Sequence, residues 1–163
     1  HLLALDCLVS HMPYGVLGAE TLKWLEVALE QIDDEPVIVG LHHPPFKTGI
    51  GHMDAQQLRN PDELVDVVAR YKGVKMIIAG HVHRYITEHL ECCPMMIAPS
   101  VAHAVDLDFT PEGPSQFALE PGGFLLHSHD RSTGRLSSQF VPVGPHAGPH
   151  SFAGISVGKT DQG

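Results

Sequence analysis

Cationic side chains are scarce in this chain. Its 163 residues hold 10 lysines and arginines against 19 aspartates and glutamates, a formal net charge of −9 with histidine neutral. So few phosphate-neutralising groups exclude a nucleic-acid polymer as the expected partner. Cysteine is scarcer still: there are three, and Cys92 and Cys93 are adjacent and badly placed to bridge each other. A disulfide framework is therefore excluded, and reduced thiols in a cytoplasmic protein are expected. No apolar run reaches membrane-spanning length, so bilayer insertion is not expected. No signal peptide is legible either. The chain opens on His1 and runs at once into Leu2-Leu3-Ala4-Leu5, which reads as entry into the middle of a domain.

What remains suits one globular domain with a real core, since 43% of the residues are hydrophobic. Residues 2–9 read as a strand. Leu22, Leu25, Leu29 and Ile32 recur at helical spacing and predict an amphipathic helix over 21–32. The near-continuous apolar run 37–41 predicts a strand buried on both faces. A second helix is predicted over 61–72, with Asn60 as its cap, Pro61 at its first position and Gly73 as a left-handed terminator. Residues 74–79 predict another core strand. Strand, helix and strand over this length make a βαβ unit with parallel neighbouring strands. Beyond residue 83 the pattern shortens to predicted strands 84–91, 94–98, 115–119, 122–129 and 135–143, read as antiparallel meanders continuing the sheet. No internal repeat is visible. Residues 1–143 read as one domain and 144–163 as a flexible or partner-contacting tail.

Histidine is the residue in excess, with 13 copies. Most read as surface or loop residues. Two motifs concentrate the rest: His42-His43-Pro44-Pro45 after the strand at 37–41, and Gly80-His81-Val82-His83 after the strand at 74–79. Both lie just past the carboxyl ends of neighbouring strands, where open α/β sheets place their sites. In an extended segment His81 and His83 would point to one side, with Gly80 allowing a close backbone approach. One such histidine alone reads as an ordinary loop residue. His42, His81 and His83 converging on one sheet edge point to a metal, and imidazoles suit Zn, Fe, Mn or similar ions. Carboxylates to complete a two-metal site are hard to find. Asp6 reads as a loop hydrogen-bonder, Asp54 as a residue facing substrate, and Asp106 and Asp108 as solvated.

These motifs resemble those of the calcineurin-like metallophosphoesterases, and within them the C-terminal half of bacterial cyclic-nucleotide and glycerophosphodiester phosphodiesterases. The likeness runs through Leu5-Asp6, residues 18–29, the two histidine motifs with Arg84, residues 49–54, Ala98-Pro99-Ser100-Val101-Ala102-His103, Phe117-Ala118-Leu119-Glu120-Pro121 and residues 140–144. It implies an α/β fold, part of a four-layer α/β/β/α sandwich of mixed sheets with flanking helices. It implies two divalent metal ions (Fe, Mn, Zn or Co), with His42 and His81 on one and His83 on the other. His43 and His103 become candidate catalytic residues, His43 by orienting the site or touching substrate. Asp54 and His52 become candidate substrate contacts. The implied reaction is hydrolysis of a small phosphodiester, with a phosphomonoesterase or a non-catalytic scaffold of the same fold as alternatives. The family's Asp-x-His and Gly-Asn-His motifs do not occur in this chain, so the chain alone is expected to be nearly inactive. Apolar strand faces near Leu2 and Val37 suggest a homo-oligomer.

Overall fold

The structure, a computed structural model, describes residues 1–145 and 147–152. Its centre is a mixed five-stranded sheet. Strand β1 (Leu2–Ala4) is followed by helix α1 (Ala19–Ile32), strand β2 (Val37–Gly40), the short helix α2 (Gly51–Asp54), helix α3 (Pro61–Val68) and strand β3 (Val74–Ala79). Strands β4 (Ile86–His89) and β5 (Pro94–Ile97) complete the sheet in the order β1-β2-β3-β5-β4. The β1–β2, β2–β3 and β3–β5 pairs are parallel, and only edge strand β4 runs antiparallel. The predicted βαβ unit is present. The predicted simple antiparallel continuation is not, because β5 inserts between β3 and β4.

Two small antiparallel pairs follow. Strands β6 (Ala104–Val105) and β7 (Phe117–Ala118) form one, and β8 (Gly123–Asp130) and β9 (Arg135–Pro142) form a long ribbon. The β1-α1-β2 and β2-α3-β3 crossovers advance the same way across the sheet, so right-handed connections place both helices on one face. Leu25, Leu29, Leu64 and Val68 bury there with Val37, Val39 and Ile77. Arg70, just past the end of α3, pairs with Glu26 of α1 at 2.7 Å. The ribbon lies over the other face, where Ser138 Oγ meets Met76 Sδ at 3.9 Å. Helices, sheet and ribbon make three layers of an α/β/β/α plan.

Several local expectations change. β1 stops at Ala4 rather than residue 9. In β2, Val37 and Val39 are buried while Ile38 and Gly40 are only half-buried. The ribbon covers that second face loosely, leaving a cavity lined by Gly40, Ile78, Leu125 and His127. α3 ends at Val68. Gly73 does not terminate it with a left-handed turn; a Cβ there would meet the Glu35 carbonyl oxygen at 2.5 Å. Gly73 thus permits a close backbone crossing. Asn60 does not cap α3 with its side chain; its amide instead clamps Leu17 through Oδ1 at 3.0 Å and Nδ2 at 2.9 Å. Of the expected tail at 144–163, His146 and residues 153–163 lie outside the described residues.

Candidate metal centre

The hydrogen-bond ladder between β2 and β3 runs on past both strands. Leu41 N–H donates to Ile78 O at 3.1 Å and Gly80 N–H to His42 O at 3.0 Å. Two loops that carry histidine are thereby locked side by side. Gly80-His81-Val82-His83 is not extended, as expected from sequence, but tightly folded. Val82 N–H donates to Gly80 O at 2.8 Å, and His81 and His83 take left-handed backbones, φ 70° and 58°. Such conformations cost free energy for residues other than glycine and persist where the surroundings enforce them. Val82, wholly buried, anchors the turn in the core.

Folding the turn splits the two histidines. His81 faces the β2 loop, its Nδ1 3.2 Å from His42 Nε2. His83 faces the loop after β5, its Nδ1 3.1 Å from His103 Nε2. His43 lies beneath the first pair, its ring centroid 4.8 Å from that of His42 and 4.7 Å from that of His81. Ligand atoms of His42, His43 and His81 fall within 4.8 Å of one another. His83 stands outside that group with His103.

Burial and neighbouring imidazoles disfavour the charged form of His43, His81 and His83. Burial, then the neighbouring His43, His42 and His83, push His81 down to about 4. Burial and His42 lower His43; burial and His103 lower His83. A neutral imidazole already exposes the lone pair that a metal needs. His81 Nε2 is also buried without a hydrogen-bond partner. His42 Nε2 and His81 Nδ1 converge as two nitrogen ligands suited to a borderline divalent cation, while His81 Nε2 points away on the far side of the same ring. Among the described residues the group contains no carboxylate. Asp6 shares a cavity with His42, but its Oδ1 accepts from Leu8 N–H at 2.9 Å, the loop role read from sequence.

His52 and Asp54 sit on α2, in the loop that follows the two prolines. Asp54 accepts from Thr48 N–H at 2.7 Å, Thr48 Oγ1 at 2.9 Å and Gly49 N–H at 3.0 Å, so it shapes that loop. His103 packs edge-on against Phe117, ring centroids 5.2 Å apart. Beside it is an open cavity of about 330 Å³ lined by His83, Ser100, Glu120 and Phe140 among others. Sequence reasoning missed Arg84 as a structural clamp. Its guanidinium grips Glu120 at 2.6 and 3.2 Å, and Nε donates to Val105 O. Its position right after the Gly-His-x-His motif was visible; its partners were not.

Comparison with known proteins identifies relatives of this chain. The chain is 34% identical over 152 residues to a probable glycerophosphodiester phosphodiesterase of Arcobacter nitrofigilis, covering 93% of this chain and 55% of that protein. It is 36% identical over 141 residues to a 3′,5′-cyclic-nucleotide phosphodiesterase of Nostoc, covering 85% and 51%. The chain thus spans about half the length of the curated relatives it matches. A solved dimetal phosphatase from Danio rerio aligns with 68% of this chain and 32% of its own, at a TM-score of 0.45 and 18% identity. The calcineurin-like phosphoesterase family model matches residues 4–85, a span that runs from the last residue of β1 through β3 and holds all four histidines of the two motifs. The chain belongs to the calcineurin-like phosphoesterases.

Proposed function

We propose that the whole protein hydrolyses small phosphodiesters, of the cyclic-nucleotide or glycerophosphodiester type, with two divalent metal ions. The observation that carries this reading is the 3.2 Å approach of His42 Nε2 and His81 Nδ1 at adjacent parallel strand ends. When bound, ions of the Fe, Mn, Zn or Co kind supply Lewis-acid charge and make water a better nucleophile. In this reading His42 and His81 hold one ion and His83 contributes to the other. His103 fixes the His83 ring and borders the cleft, and His43 supports the first pair from below. His52 and Asp54 are the proposed substrate-side residues, Asp54 by setting the shape of its loop. The substrate classes are those named for relatives in the two bacteria above.

Among the described residues no carboxylate joins the His42, His43 and His81 group, so this chain alone should turn over substrate very slowly. Three free cysteines support a cytoplasmic setting. Leu2, 65% exposed, supports self-association, whereas Val37, the other residue expected on an open face, is buried at 1% and does not. The test assays a bis-aryl phosphodiester with added Mn or Co, using the whole protein, its His81→Ala variant and this chain alone. Metal-dependent turnover only in the unaltered whole protein is expected. No metal dependence in that protein refutes the proposal, and comparable turnover by this chain would show that its own residues complete the site.

A further inference from the structure

Beneath the histidine pair lies a short hydrogen-bonded relay. His43 is 3% exposed. Its Nε2 is 3.2 Å from Pro13 O, and its Nδ1 is 3.3 Å from Cys7 Sγ. A carbonyl oxygen only accepts, so the ring hydrogen in the neutral imidazole belongs on Nε2. Nδ1 is then an acceptor, and the partner with a hydrogen to give is the Cys7 thiol. Both His43 nitrogens are occupied, so His43 is a support for the metal group and not one of its ligands, despite its proximity. Cys7 is itself 1% exposed. Gly15 closes the other side: a Cβ there would lie 2.6 Å from His43 Nδ1. Gly15 is held in place by Arg59 N–H, which donates to its carbonyl at 2.9 Å.

We infer that Cys7 is a positioning residue, whose thiol donates to His43 Nδ1 and so sets the ring on which His42 and His81 rest. The bond itself stands on the geometry alone; its purpose rests on the metal reading given above. Outer partners of metal ligands typically change affinity by about 10–100-fold, and one that acts through a supporting ring belongs near the low end.

The experiment is long-range proton–nitrogen correlation of the histidine rings in the ¹⁵N-labelled chain, with Cys7→Ala and Cys7→Ser variants, before and after zinc. Expected in the unaltered chain is a His43 ring protonated on Nε2, with Nδ1 shifted by an accepted hydrogen bond. Cys7→Ala should move Nδ1 to the position of a free, unprotonated nitrogen and weaken zinc binding about tenfold. Cys7→Ser, which keeps a donor, should restore both. A ring hydrogen on Nδ1, an unmoved Nδ1 resonance in Cys7→Ala, or a zinc-bound His43 nitrogen would overturn the inference. If Cys7→Ala does not fold, the unaltered chain and Cys7→Ser still decide through the tautomer. If zinc perturbs no ring while the Nδ1 pattern is as expected, the metal reading fails and the Cys7–His43 bond stands.

Discussion

Replacing Arg84 by alanine should cost about 2–3 kcal/mol, and most of that should come from one carbonyl rather than from the ion pair. The guanidinium makes two kinds of contact. It forks onto Glu120 at 2.6 and 3.2 Å, and Nε donates to the carbonyl of buried Val105. The Arg84 side chain is 13% exposed but Glu120 is 46% exposed, so water rehydrates the carboxylate once Arg84 is gone. An ion pair half open to solvent contributes about 0–1 kcal/mol. A charged donor on a buried carbonyl contributes about 1.5–3 kcal/mol, and its loss leaves the oxygen unpaired. Glu120→Gln should therefore cost under about 1 kcal/mol. Arg84→Lys should fall near Arg84→Ala, because an ammonium cannot reproduce the planar fork. In urea, with a slope of about 2 kcal/mol per molar, the midpoint should drop by about 1–1.5 M for Arg84→Ala and less than about 0.5 M for Glu120→Gln. Equal losses from Arg84→Ala and Glu120→Gln would refute the assignment of the energy to Val105.

The core predicts a larger effect. Leu25, fully buried between α1 and the sheet, should cost about 2–5 kcal/mol when cut to alanine, measured by the same urea titration. Thiol chemistry should be selective: burial, then the Cys92 neighbour, push Cys93 up to about 12, and Cys7 is 1% exposed, so alkylation of the native chain should add one group, at exposed Cys92. Mass spectrometry showing native adducts on all three would count against this burial. At the β8–β9 turn, hydrogen bonds from Ser132 and Thr133 hold Asp130 down to about 2, below its ordinary 3.8. A depressed carboxylate stabilises above its unfolded value and loses that contribution as pH falls, so the turn should loosen between about pH 4 and pH 2. The Ser132 amide resonance, followed by NMR, should titrate near 2; a midpoint near 4 would show that the turn does not hold the carboxylate.

Much of this fold was legible because periodicity and punctuation agreed. The apolar run from Val74 to Ala79 became β3 with those limits, and α1 begins only two residues before the predicted helix. What failed depended on partners distant in sequence. Asn60 has the chemistry of a cap, yet the backbone of Leu17 takes its amide. Gly73 follows a helix, as a terminator would, yet its missing Cβ serves the crossing of residues 33–35. Gly15 and Cys7 offered no local signal at all, since each acquires its role only against His43.

The histidine motifs were legible, and the family likeness already set His42 with His81 and His83 apart; the folded turn and the His83–His103 contact were not legible, because the alternation argument assumes an extended backbone. His81 and His83 instead take left-handed conformations on either side of buried Val82. One ring therefore turns towards β2 and the other towards β5. The strand order explains why both find an imidazole waiting. β3 lies between β2 and β5, all three parallel, so the loops leaving their carboxyl ends stand in a row. The β2 loop brings His42, the β3 loop brings His81 and His83, and the loop after β5 brings His103. Each neighbouring pair closes to hydrogen-bond distance, 3.2 Å for His42 with His81 and 3.1 Å for His83 with His103. In a plain antiparallel meander β4 would lie between β3 and β5, so the loop after β5 would leave from the same end but one strand spacing, about 4.8 Å, farther from His83. The insertion of β5 beside β3 is thus what extends the histidine group from one strand junction to two.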